Sequence, residues 1–225
     1  MNLRQTLVAM TLRGLSRLLL RLDVEALARV PAAGPLILVA NHINSLDVPV
    51  VFPRLLPRPV TGYAKIETWD NPIKAFLFST WDAIPVRRGE ADTRALRAGL
   101  EALQAGKIVA IAPEGTRSHD GRLRRGHAGM VMLALMSGAP LFPLVYYGHE
   151  QFHRRLRRLQ RCSFHVRVGQ PFRIEANGVK ITRQIRQEIA DEVMAQLAAL
   201  LPPEYRGVYA DAIPPDGTYR WLVPV

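Results

Sequence analysis

His42 and Asp47, in Asn41-His42-Ile43-Asn44-Ser45-Leu46-Asp47, are the parts of a base and of a group that orients it. An imidazole takes a proton near neutral pH. A carboxylate held against one ring nitrogen fixes the tautomer and stabilises the imidazolium. The other nitrogen is then free to face a hydroxyl or water. The spacing alone fits equally well a histidine at a helix entrance with Asp47 as a capping residue. Farther along, Glu114-Gly115-Thr116-Arg117-Ser118 supplies parts that such a base lacks. Gly115 permits a tight turn, and Thr116 and backbone N–H groups can donate to an oxyanion. Arg117 offers a planar fork that grips phosphate through two parallel bonds. An isolated arginine is ordinarily solvated surface charge. Arg88 and Arg117, both just beyond apolar runs and near a candidate base, point to anion binding.

These groups need a frame that brings them together. Leu36–Ala40 is a short continuous apolar run, the pattern of a strand buried on both faces. Thr61–Lys65, Ala83–Val86, Ile108–Ala112, Leu141–Tyr147 and Ser163–Val168 read as further strands. Helices are expected over Asp47–Leu56, from Asn71-Pro72 with proline in the first turn, over Ala91–Gln104, over Ala128–Ser137 and near Thr182–Leu201. Gly106 stops the third of these. Strands alternating with helices imply an α/β fold with a mainly parallel central sheet flanked by helices. Ligands gather at the carboxyl ends of such strands, which is where His42 and Glu114–Arg117 both fall.

With 225 residues, 48% of them apolar, the chain can bury a sizeable core in one domain or one domain plus a small attachment. Its net charge of +11 seeks phosphate, whether on nucleic acid, anionic lipid or an acidic small molecule or carrier. No zinc-ligand pattern, aromatic string or separate basic module supports nucleic acid. The run His153–Arg161 carries five arginines, suited to a solvated connection or to an anionic partner. Cys162 is the single cysteine, with no histidine beside it, and reads as a small semi-buried thiol. No His/Cys cluster at ligand spacing accompanies His42, so no metal is expected.

Residues 128–148 carry no charge, but Gly138, Pro140 and Pro143 interrupt them, so a helix followed by a strand is expected and not a span. Residues 1–22 contain Arg4, Arg13, Arg17 and Arg21 and no acid. At about 100° per residue, Arg13, Arg17 and Arg21 share one side of a helix, opposite a broad leucine face. The pattern predicts a helix in the headgroup plane, leucines inward and guanidinium groups at phosphates; the alternative is a helix packed on its own domain. The expected division is therefore 1–23 as an amphipathic membrane-associating helix and 24–225 as the α/β domain.

The residues just described resemble the glycerolipid acyltransferase family, which acylates lysophosphatidic acid or glycerol phosphate. Its first block resembles Asn41–Asp47, with His42 and Asp47 in matching positions. Its second corresponds to Asp82–Arg88, with Arg88 in the arginine's place. Its third matches Glu114–Ser118 unchanged, and its fourth is similar to Ala139–Pro143. The short stretch Pro202–Asp211 resembles the tail of bacterial members, so the similarity covers about residues 24–211. Three positions depart: Asn44 stands where serine is usual, and Asp82 and Pro85 replace a glycine and an aromatic residue.

The resemblance implies an O-acyltransferase that needs no cofactor and forms no covalent enzyme intermediate. It makes His42, oriented by Asp47, the base that deprotonates the acceptor hydroxyl. It assigns the acceptor phosphate to Arg88, Glu114, Gly115 and Arg117, with Lys65 a further addition, and the oxyanion to the Gly115 and Thr116 amides. It implies acyl-CoA or acyl carrier protein as donor, a lysophospholipid as acceptor, and an anionic membrane surface at the cytoplasmic face of the cell membrane as the place of work. Lysophosphatidic acid is the expected acceptor, with glycerol 3-phosphate or a lyso amino-lipid as alternatives. A non-catalytic lipid-binding protein is the rival from another class.

Overall fold

All five residues of Leu36–Ala40 are buried, which places this strand in the middle of a sheet covered on both faces. Ile37 and Val39 enter one core, and Leu36, Leu38 and Ala40 enter the other, as the two-residue period of a strand requires. The computed structural model describes residues 3–87 and 92–225. In chain order the strands are β1 (Leu20–Asp23), β2 (Leu36–Ala40), β3 (Val60–Lys65), β4 (Ile84–Val86), β5 (Ile108–Ile111), β6 (Leu141–Tyr147), β7 (Cys162–Val168), β8 (Phe172–Ile174) and β9 (Leu222–Pro224). The α-helices are α1 (Leu3–Leu19), α2 (Asp47–Leu55), α3 (Pro72–Thr80), α4 (Thr93–Gln104), α5 (Gly129–Ser137), α6 (Phe152–Leu156) and α7 (Arg183–Leu200).

The sheet runs β1-β7-β6-β2-β5-β3-β4, with β8 beside β6 and β9 beside β8. Strands β6, β2, β5, β3 and β4 are mutually parallel, so their carboxyl ends share one edge. β7 pairs antiparallel with β6, and β1 pairs parallel with β7. One core packs β2, β5 and β6 against α5 and α7, where Ile189, Val193 and Leu197 recur every fourth residue and are fully buried. The other core packs the opposite face against α2 and α1.

Helix ends follow local chemistry. Asn71 accepts from the Lys74 N–H at 3.0 Å with Pro72 in the first turn, and Thr182 accepts from Ile185 N–H at 3.2 Å. Gly138, at φ 61°, ends α5, so the uncharged 128–148 stretch is a helix and then a strand, as expected. Among the described residues, no helix is long and apolar enough to cross a membrane.

The amino terminus departs from expectation in two ways. The helix stops at Leu19, and Leu20–Asp23 is a strand of the sheet, with Leu20 opposite Cys162 and Leu22 opposite Phe164. Residues 20–23 thus belong to the α/β unit, not to a separate helix. The arginine face is also not wholly turned outward. Arg13 donates through Nε and Nη2 to the Pro53 carbonyl at 3.0 and 2.5 Å, in the last turn of α2, and Arg54 of α2 donates back to Ser16 Oγ at 2.8 Å. Ala9 and Ser16 are buried at this contact, while Leu3, Leu7, Met10, Leu15 and Leu18 remain exposed.

Candidate active site

Three strand ends build the site. At the end of β2, Asn41 acts as a clip to β6: its Nδ2 donates to Tyr146 O at 2.9 Å and its Oδ1 accepts from Tyr146 N at 3.0 Å. The chain then turns into α2, and Asp47, its first residue, folds back over that turn. Asp47 Oδ2 accepts from Ile43 N–H at 2.8 Å and Asn44 N–H at 3.2 Å, and lies 2.6 Å from His42 Nδ1. The carboxylate closes the turn before α2; it does not cap the helix. Sequence spacing left both uses open, and the observed one orients the imidazole. With Nδ1 engaged, Nε2 is the nitrogen left for a substrate, and the His42 side chain keeps 20% of its surface exposed.

Burial by itself would push the Asp47 carboxyl up. Hydrogen bonds from His149 and His42 outweigh it, so the group lies below its ordinary value and stays an anion. His149 is a partner that the sequence reading missed. Its Nε2 is 2.6 Å from Asp47 Oδ1, and neither side chain has any exposed surface. The usable signal was its place, two residues beyond β6 at the same sheet edge.

The turn after β5 is stitched to the turn after β2. Ser118 N–H donates to His42 O at 2.8 Å, and His119 N–H to Ile43 O at 3.3 Å. Glu114 Oε1 accepts the His42 backbone N–H and Oε2 accepts that of Arg124, both at 2.9 Å. Glu114 is only 2% exposed, so both of its oxygens serve backbone groups. Its expected role on the acceptor phosphate is corrected to that of a clamp beneath His42. Burial pushes its carboxyl up to about 7, against the pull of the Arg124 and His42 N–H groups.

A carboxyl raised on folding contributes stability that is full below its unfolded value and lost as pH rises through the folded one. Wild type should therefore lose roughly 3 kcal/mol from this group between about pH 4.5 and 7, and Glu114→Gln should not show that slope. Urea midpoints of both proteins across that range check it.

Gly115 has φ 63°, and a Cβ there would lie 3.2 Å from His127 Cδ2, which accounts for glycine on two grounds. Its N–H donates to Ala112 O at 3.0 Å within the turn, so it is not open to an oxyanion, contrary to expectation. The exposed Thr116 has no such tie among the described residues. Arg117 is half-buried and immediately precedes Ser118, so its backbone adjoins His42. Lys65 is exposed at the end of β3 on the same edge, but β5 separates it from β2, roughly 10 Å across the sheet. Arg88 lies outside the described residues. Arg124 was also missed: its Nη2 donates to Ser118 O at 2.9 Å, beside the turn.

The departures from the family pattern have local explanations. Asp82 adopts φ 49°, the left-handed conformation that glycine favours and that aspartate tolerates. Pro85 sits in the edge strand β4, where a missing N–H costs little. Asn44 donates through Nδ2 to His149 O at 2.9 Å and accepts Leu46 N–H at 2.9 Å through Oδ1. Cys162 is more buried than expected, at 1% exposure; burial pushes its thiol up, and Sγ contacts Gly148 O at 3.2 Å. It is not an activated nucleophile.

The family described as Acyltransferase matches residues 21–147, from β1 to the end of β6. A lyso-ornithine lipid O-acyltransferase of Pseudomonas aeruginosa is 27% identical over 69% of this chain and 66% of its own length. A 1-acyl-sn-glycerol-3-phosphate acyltransferase of Bacillus subtilis is 32% identical over 53% of this chain and 59% of its own. The chain thus spans about two thirds or less of the length of these relatives. The crystal structure of the 1-acyl-sn-glycerophosphate acyltransferase PlsC from Thermotoga maritima shares the fold, with TM-score 0.60 and 19% identity over 87% of this chain and 79% of that one. The match spans more than half of the 225 residues and contains β2, the His42–Asp47 turn and the Glu114–Ser118 turn, and on that ground the chain belongs to the acyltransferase family.

Proposed function

We propose that this protein is an O-acyltransferase that moves a fatty acyl group from a thioester donor, acyl-CoA or acyl carrier protein, to the hydroxyl of lysophosphatidic acid, giving phosphatidic acid. The observation that carries this is the 2.6 Å contact of His42 Nδ1 with the buried Asp47 carboxylate, which leaves Nε2 to act. His42 Nε2 takes the acceptor's hydroxyl proton as the oxygen attacks the thioester carbon. The tetrahedral oxyanion collapses, the C–S bond breaks, and the proton passes from His42 to the departing thiolate. Arg117, with Lys65 farther along the same edge, supplies positive charge for the acceptor phosphate, and Arg88 is a further candidate from the sequence alone. The Thr116 N–H is the donor left for the oxyanion.

A lyso amino-lipid acceptor is the second reading, favoured by the likeness to the lyso-ornithine lipid enzyme. Mass spectrometry of products from mixed acyl donors with lysophosphatidic acid, glycerol 3-phosphate and a lyso-ornithine lipid separates the two. Phosphatidic acid as main product supports the first; diacyl ornithine lipid replaces it with the second; no acylated product with any acceptor refutes both.

The membrane is the natural workplace for such substrates, and we place the protein on its cytoplasmic face, peripherally bound. Leu3, Leu7, Met10, Leu15 and Leu18 of α1 are exposed, as are Ile73 and Phe76 of α3, and Arg4 ties the two helices through Ser79 O at 2.9 Å. Arg13, Arg17 and Arg54 line one concavity beside α1. Burial pushes the Arg54 guanidinium down, and the charges of Arg13 and Arg17 act in the same direction, so an anionic headgroup there would be stabilising. Leu7→Glu with Leu18→Glu should lower binding to phosphatidylglycerol vesicles about tenfold or more in sedimentation, with the fold retained. Undiminished binding would remove α1 from the interface.

A further inference from the structure

We infer that His149, held by Asn44, is a positioning residue for the reaction, gripping Asp47 from the side opposite His42 so that the three form a His42–Asp47–His149 chain. This rests on the reading of His42 as the base. Asp47 is the only residue common to both contacts: Oδ2 meets His42 Nδ1 and Oδ1 meets His149 Nε2, each at 2.6 Å. His149 is fully buried, so it touches no substrate and must act through Asp47.

The tautomer follows from the surroundings. His149 Nδ1 is buried with no hydrogen-bond partner, while Nε2 faces a carboxylate. A hydrogen on Nδ1 would be an orphaned buried donor, whereas a bare lone pair there is tolerated better. His149 therefore donates through Nε2–H. Its ring has little freedom to turn, because Phe164 lies 4.3 Å away and Tyr146 5.9 Å away between ring centroids. Asn44 fixes the backbone from which the ring hangs, through the bond from Nδ2 to His149 O. At the same time its Oδ1 holds Leu46 N–H, in the turn that carries Asp47. A serine at position 44 has one hydroxyl on a shorter stem and could not span both groups. The unusual residue at 44 and the histidine at 149 thus belong to one device.

A carboxylate gripped on both oxygens cannot rotate. Without the His149 donor, Oδ1 is a buried acceptor with no partner, and the Asp47 carboxylate can turn away from the angle that His42 needs. The loss should therefore appear in kcat and not in KM. His149→Phe fills the ring's place but removes the donor, and should lower kcat about 10–100-fold with KM within a factor of two. His149→Gln restores an N–H donor and should recover most of that loss.

The test measures acyl transfer from acyl-CoA to lysophosphatidic acid by the full chain, carrying His149→Phe, His149→Gln, Asp47→Asn, and Asp47→Asn with His149→Phe. If His149 works through Asp47, the double variant is no slower than Asp47→Asn alone. Wild-type kcat in His149→Phe, no recovery in His149→Gln, or additive losses in the double variant would overturn the inference. A ¹⁵N spectrum of the native chain is independent of any variant's folding, and a His149 ring with its hydrogen on Nδ1 and none on Nε2 would overturn it as well. His42→Ala separates the two levels. An inactive His42→Ala beside a fully active His149→Phe refutes this inference and leaves the base in place. A fully active His42→Ala refutes the base itself.

Discussion

His42→Ala is expected to lower kcat for acyl transfer by about 10²–10⁴, with little change in the KM of either substrate. The reason is specific to the proton. An acceptor hydroxyl is a poor nucleophile until its proton has somewhere to go, and with Nδ1 engaged by Asp47 the His42 ring has Nε2 left to take it. The His42 backbone is held independently of its ring by Glu114 and Ser118, so alanine leaves the turn in place. Losing the hydrogen bond to the buried Asp47 should cost about 1–3 kcal/mol of stability, and a retained cooperative thermal transition separates lost chemistry from lost fold. A His42→Ala protein that still binds lysophosphatidic acid but does not consume it is the expected outcome in steady-state kinetics.

Asp47→Asn should cost both activity and stability. The carboxylate serves Ile43 N–H, Asn44 N–H, His42 and His149 at once, all beneath the surface. An amide has one acceptor oxygen and one donor nitrogen. Whichever way it turns, an NH₂ faces groups that also donate. We expect a loss of about 10²–10⁴ in kcat and of about 3 kcal/mol in stability at pH 7. The pH dependence has a fixed sign. The carboxyl is lowered on folding, so its contribution is present above the unfolded carboxylate value and is lost as pH falls through the folded one. The stability gap between wild type and Asp47→Asn should be full at neutral pH and close in acid, as read from urea midpoints at several pH values.

The parts of this molecule that were legible in the sequence are those governed by near neighbours. The buried strand Leu36–Ala40 showed itself because both faces are covered and every residue is apolar. Pro72 and Gly138 marked a helix start and a helix stop through their own backbone limits. The turn from His42 to Asp47 closes within six residues, so its hydrogen bonds were open to local reasoning.

What escaped depends on partners distant in the chain. Leu20–Asp23 continued a helical pattern and became a strand because Cys162–His165 offered an open edge. The family resemblance put Glu114 on the phosphate, and a carboxylate in a polar motif gives no sign of burial. Its oxygens were claimed by His42 and Arg124 N–H groups, which only the folded arrangement reveals. His149 lies 102 residues from Asp47, and its place just beyond β6 marks the sheet edge but not its partner.

The most direct test of the account is a mass balance on purified protein supplied with an acyl thioester and lysophosphatidic acid, run beside His42→Ala. The account predicts one new ester for each thiol released by wild type, and neither product from His42→Ala above the uncatalysed rate. Thiol release without ester, or equal ester formation by His42→Ala, would contradict it.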